Sequence, residues 1–174
     1  PCSFDFKYYK DIYIVKTNLN GGIIYQETYG GDYLEKGMDI VRKDDGEGYI
    51  IIGQQCKHRY DIHGCGPITK VMILDIDENG NKLDQTILGG LYFYEFGTPM
   101  ALESTYNGGY VFVANPKNGG NVWIYKWGGF DDDLNLKISP GGFGGESIEK
   151  TSDNGYIIST GGGTVLKTDS QLSY

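Results

Sequence analysis

Three stretches of the chain share one alternation of polar and apolar positions: a turn of Asp, Asn or Gly, then Gly-Tyr, then a β-branched run. They are Asp44-Asp45-Gly46-Glu47-Gly48-Tyr49-Ile50-Ile51-Ile52, Tyr106-Asn107-Gly108-Gly109-Tyr110-Val111-Phe112-Val113 and Ser152-Asp153-Asn154-Gly155-Tyr156-Ile157-Ile158. Asn-Gly and Gly-Gly between β-branched runs predict hairpins. A second pattern, a short strand running into a polar turn, occurs at Tyr13–Asn18, Val71–Asp77, Trp123–Trp127 and Val165–Asp169. Gly pairs at 30–31, 89–90 and 141–142 mark a third period.

The order of these marks is regular and predicts four antiparallel strands per unit. In the first full unit the strands are expected near 38–43, 48–54, 69–75 and 82–88, and in the second near 100–105, 109–114, 121–127 and 134–138. A third unit is expected to supply 146–150, 155–160 and 164–168, and half a unit precedes the first at 11–17 and 22–28. Tandem four-stranded units of roughly 40–60 residues predict an all-β fold, a β-propeller or partial propeller. The expected division of a single domain 1–174 is a half blade 8–31, blades 32–90 and 91–142, and a partial blade 143–174. Runs such as Ile50-Ile51-Ile52, apolar at successive positions, suit sheets covered on both faces. A β solenoid is the rival, but its rungs are usually shorter.

Composition narrows the classes. The apolar fraction is 39% and aromatics make up 14%, with 28 Gly. Such Gly content argues against a helix bundle, and the aromatics argue against disorder. Apolar runs are too short for a membrane helix of about 20 residues. A net charge of −8 argues against nucleic acid as partner. The start, Pro1-Cys2-Ser3-Phe4, looks like a processed chain, and Pro1 is wrong for lipoprotein cleavage before Cys2.

Two segments carry a family resemblance. Gly144 through Ile158 followed by Val165-Leu166-Lys167-Thr168-Asp169, and Tyr13 through Gly31, resemble blades of the secreted β-propeller repeats of Bacteroidetes and archaeal surface proteins. The second unit is looser, departing at Trp127-Gly128-Gly129-Phe130. The resemblance implies a secreted or surface-displayed propeller and no particular activity.

About 3.5 blades is fewer than the four to eight that usually close a ring. Open edges invite pairing. The chain is therefore expected to be part of a longer protein, to assemble with further copies, or to close as a four-bladed ring in which 11–28 supplies what 146–168 lacks.

Candidate chemistry is sparse. Both His and two of the three Cys lie in Cys56-Lys57-His58-Arg59-Tyr60-Asp61-Ile62-His63-Gly64-Cys65, in a connector the other units lack. A Cys56–Cys65 disulfide is the leading reading, and it fits the oxidising compartment that the resemblance implies. Zinc ligation, poorly spaced here, and free thiols stay open. Asp75-Ile76-Asp77-Glu78-Asn79-Gly80-Asn81 resembles half a calcium loop but lacks the closing carboxylate, since Thr86 stands there. It reads as a hairpin turn, and Asp131-Asp132-Asp133 as a solvated turn. Gly161-Gly162-Gly163 precedes no helix, so no phosphate loop is expected. No cofactor or metal is expected.

Strand alternation puts the connector 55–66 and the aromatic linker 91–97 on one face. Tyr33, Tyr60, Tyr92, Tyr94 and Phe96 are the candidate ligand-binding residues there, since exposed aromatics stack on sugar rings or dock proteins. The expected function is non-enzymatic binding, adhesion or structural display, secreted or at the cell surface, with a glycan or protein ligand. Self-assembly through open blade edges is one alternative. A glycan-active enzyme is another; Glu35, Glu95 and Asp61 are its carboxylates, though nothing in their spacing selects them.

Overall fold

The computed structural model describes residues 10–56, 69–89, 97–115, 121–128, 135–139 and 144–173. These form strands throughout, with no helix among the described residues. A strand pair comes first: β1 (Ile12–Thr17) and β2 (Ile23–Tyr29). A four-stranded sheet follows, with β3 (Leu34–Arg42), β4 (Gly48–Cys56), β5 (Thr69–Asp77) and β6 (Lys82–Leu88). A second contains β7 (Thr98–Ser104), β8 (Gly109–Asn115), β9 (Val122–Gly128) and β10 (Asn135–Ser139). The last has three strands: β11 (Gly145–Lys150), β12 (Tyr156–Thr160) and β13 (Val165–Thr168). Every sheet is antiparallel with its strands in chain order.

The strands fall close to their expected places, with one clear difference. β3 begins at Leu34 rather than 38, and Glu35 and Gly37 within it interrupt any apolar pattern. A β-bulge at Met38, between Gly37 and Asp39, also shifts the period. The same bulge recurs at Met100, between Pro99 and Ala101, and at Glu146, between Gly145 and Ser147. Met38 packs into the core beside Phe112, and Met100 into the core beside Ile158. Thus each bulge turns one side chain of a first strand toward the sheet that follows. Glu146 has no such sheet among the described residues, and it is exposed.

Three cores alternate with the sheets. Ile12 and Tyr29 meet Ile51, Met72, Leu74 and Ile76. From the opposite face of the same sheet, Ile50, Ile52, Val71 and Ile73 meet Leu102, Phe112, Ala114 and Tyr125. Val111, Val113, Val122 and Ile124 then meet Ile148, Tyr156, Ile158 and Leu172. Both faces of each four-stranded sheet are therefore covered, which accounts for consecutive apolar residues in β4 and β8. Aromatic rings thicken the middle core: Phe112 stacks on Tyr125 at 4.9 Å and Tyr110 on Trp127 at 5.9 Å.

First strands of successive sheets lie side by side, β3 by β7 and β7 by β11. Their carboxylates tie them together. Asp39 Oδ2 accepts the Leu102 N–H at 2.8 Å, and Glu103 Oε2 accepts that of Lys150 at 3.4 Å. At the turn end, Asp44 accepts from Ser104 Oγ at 2.9 Å and pairs with Lys150 Nζ at 3.5 Å. One carboxylate thus touches the ends of the next two first strands.

The Gly of each Gly-Tyr has a steric reason. A Cβ on Gly48, Gly109 or Gly155 would stand 2.0, 2.5 or 2.0 Å from a carbonyl oxygen of the facing third strand. Left-handed backbone is supplied nearby, by Gly46, Gly108 and Asn154. β1–β2 stands as a separate pair, not hydrogen-bonded to β11–β13. The described strands amount to two four-stranded sheets, one sheet of three strands and one strand pair.

Candidate functional site

The ladder of the first four-stranded sheet decides which connectors meet. Leu34 pairs with Cys56, Cys56 with Thr69, and Val71 with Leu88. Leu34, Cys56, Thr69 and Leu88 therefore lie along one end of one sheet, next to Tyr33. Tyr33 is half-buried and Cys56 is buried. Tyr60, Cys65, Tyr92, Tyr94 and Phe96 lie outside the described residues, as do Asp61 and Glu95.

Beneath that end lies Glu35, only 2% exposed. Its backbone N–H donates to the Lys10 carbonyl at 2.7 Å, tying the approach to β1 onto β3. Its Oε1 accepts from Gln55 Nε2 at 3.1 Å, while Oε2 has no hydrogen-bond partner among the described residues. Burial pushes its carboxyl above the ordinary carboxylate range. The Gln55 and Gly31 hydrogen bonds oppose that, and the Asp11 charge adds to it. The sequence offered no signal for this burial, because Glu35 sits among polar and small residues.

A groove of about 720 Å³ runs from Lys10 and Glu35 along β1 and β3, floored by Ile12, Ile14, Met38 and Ile51. Asp11 and Asp39 are its other carboxylates. Asp39 is occupied by the Leu102 and Ile40 N–H groups, each at 2.8 Å.

The carboxylates of the acidic turn Asp75–Asn81 are engaged by groups within the fold. Asp75 pairs with Lys43 at 2.6 Å. Asp77 Oδ2 accepts from Asn81 Nδ2 and its Oδ1 from the N–H of Asn79 and of Asn81, each at 2.8 Å; the Asn81 side chain first, then the backbone bonds, hold its carboxyl below the usual range. Asn18 and Asp169 make the same pair of bonds in their turns. Among the described residues no three His, Cys, Asp or Glu side chains group as metal ligands. No described helix is long and apolar enough to cross a membrane.

No protein-family model matches the chain, and no curated protein matches it. Solved structures do. Hydrazine synthase of Kuenenia stuttgartiensis superposes with a TM-score of 0.60 at 14% identity, covering 88% of this chain and 50% of that one. The chain thus spans about half the length of that match, and the likeness is one of fold. A protein of unknown function from Bacteroides caccae gives a TM-score of 0.43 at 10% identity, over 90% of this chain and 71% of that one. The fold class is all-β, built of small antiparallel sheets stacked face to face.

Proposed function

We propose that the chain is a propeller-like array, secreted or displayed at the cell surface, that binds a glycan or protein through its connector-bearing end and catalyses no reaction. The observation that carries this reading is the shared sheet end at which Leu34, Cys56, Thr69 and Leu88 lie together beside Tyr33. In sequence, Tyr60 follows Cys56, and Tyr92, Tyr94 and Phe96 follow Leu88, and recognition residues usually stand on loops joined to a rigid scaffold. The propeller reading is supported by cores on both faces of the central sheets and by neighbouring first strands joined through Asp39, Glu103 and Asp44. A Cys56–Cys65 disulfide would fasten the longer connector at the point where β4 ends.

A glycan array probed with the folded chain tests the reading. Binding is expected, and the combined change Tyr33→Ala, Tyr92→Ala and Tyr94→Ala should abolish it while leaving the β-sheet circular dichroism unchanged. Binding that survives the triple change would overturn the assignment. So would glycan turnover that is lost in Glu35→Gln or Glu95→Gln.

A further inference from the structure

Glu35 lies where three parts of the chain meet. Its N–H donates to the Lys10 carbonyl at 2.7 Å and so holds the approach to β1. Its carboxylate takes a hydrogen bond from the Gly31 backbone, in the first Gly pair. Within the sheet it stands opposite Gln55 of β4 and accepts from that side chain at 3.1 Å. Approach and linker also touch each other. A Cβ on Gly30 would stand 2.3 Å from Asp11 Oδ1, so Gly30 makes room for a second carboxylate, whose charge acts on Glu35. Nothing described stands within 4 Å of a Cβ on Gly31, which leaves the linker space to move.

The charges around Glu35 do not neutralise it. The approach brings Lys10 and Asp11 and the linker brings Asp32, all three exposed. β3 adds exposed Lys36 and half-buried Asp39. β4 contributes the uncharged Gln54 and Gln55, and β5 contributes Lys70, which stands opposite Gln55 and so one strand further away. Among the described residues no lysine or arginine forms an ion pair with Glu35. Its ionised form is therefore buried with one oxygen unpartnered and a like charge nearby, a cost that the neutral form avoids. Parting the approach and linker from the sheet hydrates the carboxylate and takes Asp11 away from it, so ionisation favours the open arrangement.

We propose that Glu35 is a proton-operated latch: neutral, it holds the approach 10–11 and the linker 30–33 on the sheet, and ionised, it lets them part from it. Burial raises its carboxyl above the ordinary value of 4.5, ahead of the opposing Gln55 and Gly31 bonds. The closed arrangement is thus at full strength below that value. It weakens as pH rises from there and levels off once the raised value of the closed form is passed.

This latch goes beyond the ligand-binding reading and does not depend on it. Amide hydrogen exchange on the whole chain tests it, each rate being divided by that of an unstructured peptide at the same pH. Between about pH 4 and pH 7 the Glu35 amide should lose protection, by at most about tenfold per pH unit for one titrating carboxyl. Amides of β8 and β12 should keep theirs. Glu35→Gln should show the acid level of protection at both pH values. Asp11→Asn, a change at an exposed position, should lessen the fall without removing it, because burial is the larger cause. Protection at residue 35 that ignores pH, a fall that persists in Glu35→Gln, a fall that Asp11→Asn leaves unchanged, or one shared by β8 and β12 would overturn the latch. None of those results bears on glycan binding, so the two proposals fail separately.

Discussion

The junction between the two four-stranded sheets and the junction that holds the β1–β2 pair use the same geometry with unequal means. At the first, Leu102, Phe112, Ala114 and Tyr125 face Ile50, Ile52, Val71 and Ile73, and Met38 is turned inward by its bulge. At the second, Ile12 and Tyr29 are the buried residues that the pair contributes. Polar contacts make up part of the difference: Tyr29 donates to the Gly80 carbonyl at 2.5 Å, and Lys16 forms an ion pair with Glu78. A two-stranded sheet seated on one face is held by a few anchors. Two four-stranded sheets are held by area, at about 25 cal/mol per Å² of apolar surface buried. Cooperative unfolding should therefore centre on β3–β10, with β1–β2 loosening first.

Phe112→Ala breaks the stronger junction and should have the largest effect, a loss of about 3–5 kcal/mol in denaturant unfolding. Gly109→Ala comes next. Its Cβ would stand 2.5 Å from the Gly128 oxygen, and overpacking of that kind costs about 1–3 kcal/mol. Asp39→Ala leaves the Leu102 N–H without its acceptor, at about 1–3 kcal/mol. On the weaker junction, Ile14→Ala should cost less than Phe112→Ala and should raise amide exchange in β1–β2 while sparing β8. Equal protection losses in both regions would remove the distinction between the two junctions.

Glu35 sharpens the comparison by pH. Its folded carboxyl titrates above its ordinary value of 4.5. Below that value both states are protonated. As pH rises through it, the unfolded chain releases its proton first, so folded stability falls until the raised folded value is passed. Glu35→Gln should match the wild type in acid and exceed it at neutral pH. Unfolding midpoints at both pH values check this, and a variant less stable at neutral pH would contradict the sign.

The chain itself determined the recurring quartets of strands. Turn chemistry and β-branched runs are local, so Asp44–Ile52, Tyr106–Val113 and Ser152–Ile158 announce their hairpins without reference to anything distant. It also determined which strand ends lie together, Leu34, Cys56, Thr69 and Leu88, because alternation follows from strand order. Tertiary structure decided the rest. The bulges at Met38 and Met100 turn side chains into cores shared with the sheet beyond. Leu172 takes a left-handed φ of 61°, where Gly21 and Gly80 stand in the equivalent turns, because its side chain fills the core beside Ile158. Glu35 is buried only because the approach to β1 lies over it and β4 places Gln55 beside it. Such features arise from contacts between residues far apart in the chain, and a local pattern carries no trace of them.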